Sequence, residues 1–362
     1  MHHVSVEDKF HHLLDNLNPA QREAVTHGEG PLLIIAGAGT GKTKVITHRI
    51  AYLIASKKAR PEEILAVTFT EKAANEMEER VDVLIPYSYS FVEISTFNSF
   101  GERVLRNYGI ELGYPPDFVL LDEVEQAIFF RENLFRFPLE YYRPLSYPTK
   151  YIQDLLAAIR RLKQEDIGPE EYKVYSQNLV KKAADDVERE KALKHLEMAN
   201  VYAKYQDLMK KENKIDFEDQ VWLVLELFRK RPSILREFQE KYKYILVDEF
   251  QDTNFAQFEL IKELAVPHRN VTVVADDDQS IYKFRGAAIS NVLHFRKAYT
   301  DAEIIVLTEN YRSTQEILDA SYRLIRHNDP ERLEVREGFD KRLQSNKPPG
   351  SAVQHFHYDT QT

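Results

Sequence analysis

Leu32-Leu33-Ile34-Ile35-Ala36-Gly37-Ala38-Gly39-Thr40-Gly41-Lys42-Thr43 decides the fold. Five apolar residues run into a turn holding three of the chain's 12 glycines, and Lys-Thr then opens a helical pattern. Strand, glycine-rich turn and helix in that order are the context a phosphate-binding loop requires. Glycines let backbone N–H groups approach phosphate oxygens without a Cβ in the way, the helix N-terminus adds positive potential, and a lysine reaches the terminal phosphates. Thr43 offers a hydroxyl to Mg²⁺. Ala36 stands where the general pattern G-x-x-x-x-G-K-[ST] has its first glycine, and an ordinary tight strand-to-helix turn is the plainer reading of the same residues.

Outward from this stretch, short apolar and β-branched runs recur at Leu65–Phe69, Val92–Ile94, Tyr244–Val247, Val271–Ala275 and Ile304–Leu307, flanked by helical patterns. Such runs, bounded by turn signals, suit strands buried on both faces of a parallel sheet, so the fold class is α/β. Between about residues 106 and 214 the pattern stops. Charged, amphipathic segments such as Tyr151–Gln164 and Val180–Lys211 read there as an all-helical insertion inside the α/β domain.

Composition narrows the classes. At ~150 residues per domain, 362 residues allow two or three domains. Lys and Arg number 49 against 58 Asp and Glu, a net charge of −9 that excludes a globally basic, histone-type binder. The 18 basic and 19 acidic residues of the insertion nearly cancel, so its charge makes no case for a basic arm. No apolar run approaches the ~20 residues of a membrane span, which leaves no membrane partner. Cysteine is absent, removing disulfides, thiolate metal sites and a cysteine nucleophile, and this suits a reducing cytoplasm. The opening MHHVSVEDKFHH lacks the apolar core of a secretion signal.

Two further clusters carry chemistry. Tyr244-Ile245-Leu246-Val247 ends in Asp248-Glu249. A parallel strand delivering Asp to its C-terminal edge places that carboxylate near a phosphate loop, where Asp248 could hold Mg²⁺ through water and Glu249 could polarise an attacking water. Asp-Glu after a strand is also a common solvated loop start. The second cluster, Ala275-Asp276-Asp277-Asp278-Gln279-Ser280-Ile281-Tyr282-Lys283-Phe284-Arg285-Gly286-Ala287, follows another strand. Gln279 could sense a γ-phosphate, and Tyr282 and Phe284, at spacing two, could stack on unpaired bases or simply belong to the core. The three aspartates suit a solvated turn or a metal site without calcium-loop spacing.

Together these stretches resemble the N-terminal part of a UvrD/Rep/PcrA-type superfamily 1 DNA helicase. The resembling motifs stand in the family's order: Leu17-Asn18 with Gln21, Ala24 and Val25; AGAGTGKT at 36–43; LAVTFTEKAANEMEERV at 65–81; STFNSFGERVLR at 95–106; IDFED at 215–219; ILVDEFQDTN at 245–254; ADDDQSIYKFRGA at 275–287; and LTENYRS at 307–313. Ala36 is normal in that family. The resemblance implies a RecA-like P-loop NTPase core with a parallel sheet at 1–105 and 215–303, a helical inserted domain at 106–214, and the beginning of a second RecA-like domain at 304–362.

The resemblance also implies roles, with ATP and Mg²⁺ as cofactors. Gln21 would bond the adenine edge and Tyr311 would stack on the ring. Ala38, Gly39, Thr40, Gly41, Lys42, Thr43 and Lys44 would form the ATP-binding loop. Thr43 and Asp248 would hold the metal, with Glu249 as catalytic base. Gln279 would couple the γ-phosphate to DNA and Arg312 would serve as an arginine finger. Phe69, Tyr282 and Phe284 match base-stacking positions, and Thr68, Thr96, Asn98 and Arg285 are further contacts for single-stranded DNA or single-strand/duplex junctions. Asn98 stands where the family usually has His, Phe284 where Trp is common, Lys44 where Arg is frequent and Ala275 where Gly precedes the Asp run.

No later family motif follows Arg312. A helix from Gln315 to His327 and a strand-like Ala352–Tyr358 look like the opening of the second domain, so a fragment of a longer protein is expected. The implied activity is a 3′ to 5′ ATP-dependent helicase in repair or replication, with possible accessory proteins. The alternatives are an ATP- and DNA-binding module without efficient turnover, or the motor part of a helicase-nuclease.

Overall fold

The inner strands of the first unit's sheet are buried along their whole length, and their apolar and β-branched composition follows from a sheet covered on both faces. The computed structural model describes residues 13–85, 92–280 and 289–356. Ten strands occur among them: β1 (Leu32–Ala36), β2 (Ile64–Thr68), β3 (Glu93–Thr96), β4 (Val119–Leu121), β5 (Lys214–Asp216), β6 (Tyr244–Val247), β7 (Val271–Ala275), β8 (Glu303–Leu307), β9 (Glu309–Asn310) and β10 (Gln344–Ser345). The chain folds as two units, one of residues up to Thr96, Phe238–Thr253 and Leu264 onward, the other of Phe97–Glu237 and Asn254–Glu263.

The first unit carries a six-stranded parallel sheet in the order β3-β2-β6-β7-β1-β8. β1, β2, β6 and β7 are buried at every position, matching four of the apolar and β-branched runs. The core gathers Leu32, Ile34 and Ala36 with Ile46, Ile50, Ile64, Leu246, Val274 and Ile305. Arg49 is also buried; its guanidinium donates to Thr272 Oγ1 and to the carbonyls of Ala24, Val25, His27 and Gly28, closing the end of the helix Pro19–Thr26. Beyond β8, the helix Gln315–Ile325 forms as expected and a short 3₁₀ turn follows it. Of the strand-like Ala352–Tyr358, residues 352–356 form no strand and 357–358 lie outside the described residues; β9 pairs instead with β10, a Gln-Ser dipeptide without strand-like composition.

In the second unit, the helices Glu123–Glu132, Ile152–Gln164 and Asp186–Lys211 share a core of Phe129, Phe130, Leu155, Ile159, Tyr202 and Tyr205. The segment Val180–Lys211 is not one helix: it breaks after Lys182, and Asp185 restarts it by accepting the Glu188 N–H at 2.7 Å. Two short strands, β4 and β5, also pair here, so the insertion is not all-helical; β4 falls in the apolar Phe118-Val119-Leu120-Leu121, outside the runs that predict strands. The helix Phe97–Tyr108 lies so close to Asp219–Lys230 that a Cβ on Gly101 would sit 2.0 Å from the Gln220 carbonyl oxygen.

IDFED lies at the heart of this unit. Lys163 is fully buried, and its ammonium contacts Asp216 at 2.5 Å and Asp219 at 2.8 Å; Tyr205 also donates to Asp216. Burial first, then the neighbouring Asp216, push the adjacent Glu218 carboxyl up to about 7, against the pull of Arg160 and Lys163. A carboxyl whose pKa is higher folded than unfolded binds its proton more tightly in the fold, so its contribution is present below the ordinary 4.5 and is lost as pH rises towards about 7. Glu218→Gln is expected to flatten the fall in stability across that window, read as urea midpoints against pH; parallel slopes for variant and parent refute it. In the first unit, Ile34→Ala should cost about 2–5 kcal/mol, whereas Leu145→Ala, at a fully exposed position, should stay within about 0.5 kcal/mol in the same titration.

Candidate nucleotide-binding site

Strand order decides which loops meet. β7 lies between β1 and β6, and all three run the same way, so the segments after their C-terminal ends line one edge of the sheet. Those segments carry Lys42, Gln279 and Glu249. The Lys42 ammonium lies 2.7 Å from Glu249 Oε2 and 3.5 Å from Gln279 Oε1. Residues 207 positions apart are thus joined directly.

The loop after β1 is shaped by positive φ. Gly39 is at φ +79° and Gly41, the N-cap of the helix Lys42–Ala55, at φ +90°, with no side chain capping that helix. A Cβ on Gly39 would come within 2.7 Å of both Arg312 Cβ and Asn310 Nδ2. The loop's carbonyls are tied down: Thr40 Oγ1 donates to Gly37 O at 2.8 Å, Asn310 Nδ2 donates to Ala38 O at 2.5 Å, and Gln21 Nε2 donates to Thr40 O at 2.8 Å. Thr43 is the second residue of the helix, and Lys44 turns away to donate to the Asn16 carbonyl.

Asp248 is buried, and its backbone N–H donates to Val67 O at 2.9 Å. Burial, then the Glu249 carboxylate, push the Asp248 carboxyl up to about 6, while Lys42 and the Glu249 N–H pull it down. Glu249 adopts φ +50°, ψ +42°, the left-handed region that a glutamate enters only at a cost. Its carboxylate is held from two sides, by Lys42 and by Gln251 Nε2 at 2.6 Å. Gln251 also accepts from the Asp276 N–H at 3.0 Å, tying the β6 and β7 loops together.

Gln21 is fully buried and already half committed. Its Oε1 accepts from Asn18 N at 3.3 Å, its N–H donates to Asn18 Oδ1 at 2.8 Å, and its amide also holds Thr40. Asn18 Nδ2 reaches Tyr311 OH at 3.0 Å, and the Tyr311 hydroxyl donates to Glu309 at 2.7 Å. The Tyr311 N–H donates to Gly39 O at 2.9 Å, which sets Tyr311 and Arg312 beside the glycine loop with both side chains exposed. Asn18, Gln251 and Asn310 have no role readable from sequence, although all three lie in or beside the quoted motifs.

Of the proposed strand contacts, Thr68 and Thr96 are register partners across β2–β3, and Phe69 follows directly at the end of β2. Thr96 donates to Glu71 at 2.8 Å, whereas the buried Thr68 hydroxyl has no hydrogen-bond partner among the described residues. Asn98 belongs to the second unit, where its amide donates to Phe217 O at 2.8 Å and to Gln220 Oε1 at 3.0 Å. Tyr282, Phe284 and Arg285 lie outside the described residues. The Asp276-Asp277-Asp278 run is neither a solvated turn nor an open metal site. Lys341, 4% exposed, contacts all three carboxylates, and Arg332 clamps Asp278 with two bonds of 2.8 Å.

The donor set fits a nucleotide triphosphate with a divalent cation. An uncapped helix N-terminus and an ammonium offer positive potential, and a buried carboxyl with a raised pKa is one that a cation would ionise. Fold and site together define an α/β protein with the strand, glycine loop and helix layout of a phosphate-binding loop. The chain belongs to the UvrD/REP helicase N-terminal domain family, whose profile matches residues 17–300.

It is similar to the ATP-dependent DNA helicase PcrA of Bacillus subtilis (strain 168), 41% identical over 317 residues, covering 87% of this chain and 40% of that protein. The PcrA of Leuconostoc citreum is 37% identical over 352 residues, covering 96% of this chain and 43% of its own. The chain therefore spans about two fifths of the length of these relatives.

Gly39→Ala is expected to lower stability by about 1–3 kcal/mol through backbone strain and the approach to Arg312 and Asn310. Gly28→Ala, with nothing within 4 Å of the added carbon, should be neutral or slightly stabilising. Equal melting temperatures for the two variants would contradict the loop geometry.

Proposed function

We propose that this chain is the ATP-binding part of an ATP-dependent DNA helicase that moves 3′ to 5′ along single-stranded DNA in repair or replication. The meeting of Lys42, Gln279 and Glu249 at one sheet edge carries the reading, and family membership supports it. Residues 1–105 and 215–303 form the RecA-like core, 106–214 the helical insertion and 304–362 the start of a second RecA-like domain. No helix among the described residues is long and apolar enough to cross a membrane, and a cytoplasmic setting accords with a chain free of cysteine.

Lys42 and the N–H groups of residues 38–44 would bind the β- and γ-phosphates, and Thr43 with Asp248 would hold Mg²⁺. Bound ATP supplies the phosphoanhydride bond whose cleavage drives movement. Glu249 orients and deprotonates the attacking water, its carboxylate positioned by Gln251 and Lys42, which both bond Oε2. Gln279, 3.5 Å from the Lys42 ammonium, would couple the γ-phosphate to DNA, and Arg312, exposed next to Gly39, would serve as the arginine finger. Tyr311 and Gln21 receive the adenine. Phe69, Tyr282 and Phe284 stack on bases, while Thr68, Thr96, Asn98 and Arg285 touch the strand. Single-strand/duplex junctions and accessory proteins of repair or replication are the fitting partners.

Lys42→Ala should abolish binding of a fluorescent ATP analogue, whereas Glu249→Gln should retain it. In the full-length protein Glu249→Gln should lower DNA-stimulated turnover by about 10²–10⁴-fold. Retained affinity in Lys42→Ala would overturn the phosphate-loop assignment.

A further inference from the structure

Lys341 stands 65 positions after Asp276 in a stretch that no motif covers, yet it is among the most buried charges of the first unit. Its ammonium lies 3.2 Å from Asp276 Oδ1 and 3.1 Å from Asp278 Oδ2, and also contacts Asp277 Oδ1. Burial opposes its charge, and the three carboxylates outweigh burial, so Lys341 stays protonated. Three successive carboxylates on a buried turn repel one another strongly in a low-dielectric setting, and one cation touching all three removes most of that cost.

The consequence reaches the nucleotide site through Asp276. Its Oδ1 takes the Lys341 contact, and its Oδ2 accepts from Gln279 Nε2 at 2.5 Å. An ionised carboxylate only accepts, so this bond fixes which end of the Gln279 amide faces away from Asp276. The other end, Oε1, then faces Lys42 at 3.5 Å. Were Asp276 displaced, the amide would be free to turn and present Nε2 to the ammonium. The backbone N–H of Asp276 also donates to Gln251, the residue that holds Glu249.

We propose that Lys341 is a positioning residue for ATP hydrolysis: it holds Asp276 as the acceptor that orients the Gln279 amide towards Lys42. The proposal rests on the nucleotide-site reading above. Arg332 supplies the internal contrast. It is as buried as Lys341, but its bonds to the run go to Asp278 alone, so it stabilises the turn without touching the carboxylate that holds Gln279.

The test uses the full-length protein with saturating single-stranded oligonucleotide, measuring kcat and KM for ATP, the Kd of a fluorescent ATP analogue, and melting temperature. Lys341→Met should lower kcat about tenfold while the analogue's Kd stays within about twofold, because orientation and not affinity is lost. In a Gln279→Ala background the same change should cause no further loss of kcat. Arg332→Met should lower the melting temperature with kcat close to the parent's. Parent-like kcat in Lys341→Met, or losses that multiply in the double variant, would overturn the proposal. If Lys341→Met does not melt cooperatively, Asp276→Asn replaces it against the same Gln279→Ala background, with the same coupling expected and multiplied losses again decisive. Failure of the underlying reading would look different: the parent itself would bind no ATP analogue and would match Lys42→Ala.

Discussion

The contact between the Lys42 ammonium and the Glu249 carboxylate is the constraint on which the rest of the first unit turns. It joins the loop after β1 to the loop after β6, two strands that are not neighbours. The two side chains meet at 2.7 Å across β7, which lies between the two strands and from whose C-terminal end Gln279 follows. A parallel sheet allows this meeting because every strand ends at the same edge. The cost shows in the backbone. Glu249 occupies a left-handed conformation, which the tight carboxylate bonds to Lys42 and Gln251 sustain.

Buried charge is handled alike in the two units, with different consequences. Lys163 sits between Asp216 and Asp219, and Lys341 among Asp276, Asp277 and Asp278. In each, one ammonium meets more carboxylates than it can neutralise, and the surplus is shared with other donors: Tyr205 and Gln206 in the helical unit, Arg332 and the Leu333 N–H in the sheet unit. Removing the cation from such a cluster leaves like charges in a dry setting, which is more damaging than never having placed them there. The Lys163 cluster joins β5 to the helix Ile152–Gln164 and bears on stability. The Lys341 cluster adjoins Gln279, so the same physics bears on the geometry of the nucleotide site.

Local chemistry was legible in the sequence wherever residues in series carry it. β1, β6 and β7 fall at the apolar runs read for them because four or five consecutive buried residues leave little latitude. Lys42, Asp248, Glu249 and Gln279 lie at strand ends, where a parallel sheet gathers them whatever the intervening length. β4, β5 and β10 were not read from the sequence: they are three, three and two residues long, and although β4 is apolar, β5 and β10 have no strand-like composition. The Asp run shows the same limit. Its charge pattern suits solvent or a metal equally, and its actual partners lie more than 50 residues away in stretches with no recognisable pattern.

Gln21 shows how a motif residue can be constrained before any ligand is considered. Its amide closes the capping box of the helix Pro19–Thr26 and holds the Thr40 carbonyl, using one acceptor and one donor of the two each that a glutamine possesses. One donor and one acceptor remain, the complement a purine edge would need. The capping box fixes where they point, and Asn18 in turn reaches the Tyr311 hydroxyl, so the helix N-terminus, the glycine loop and the exposed tyrosine ring form one hydrogen-bonded assembly. In the proposed adenine site Asn18 would thus position both Gln21 and Tyr311, because it bonds to each of them.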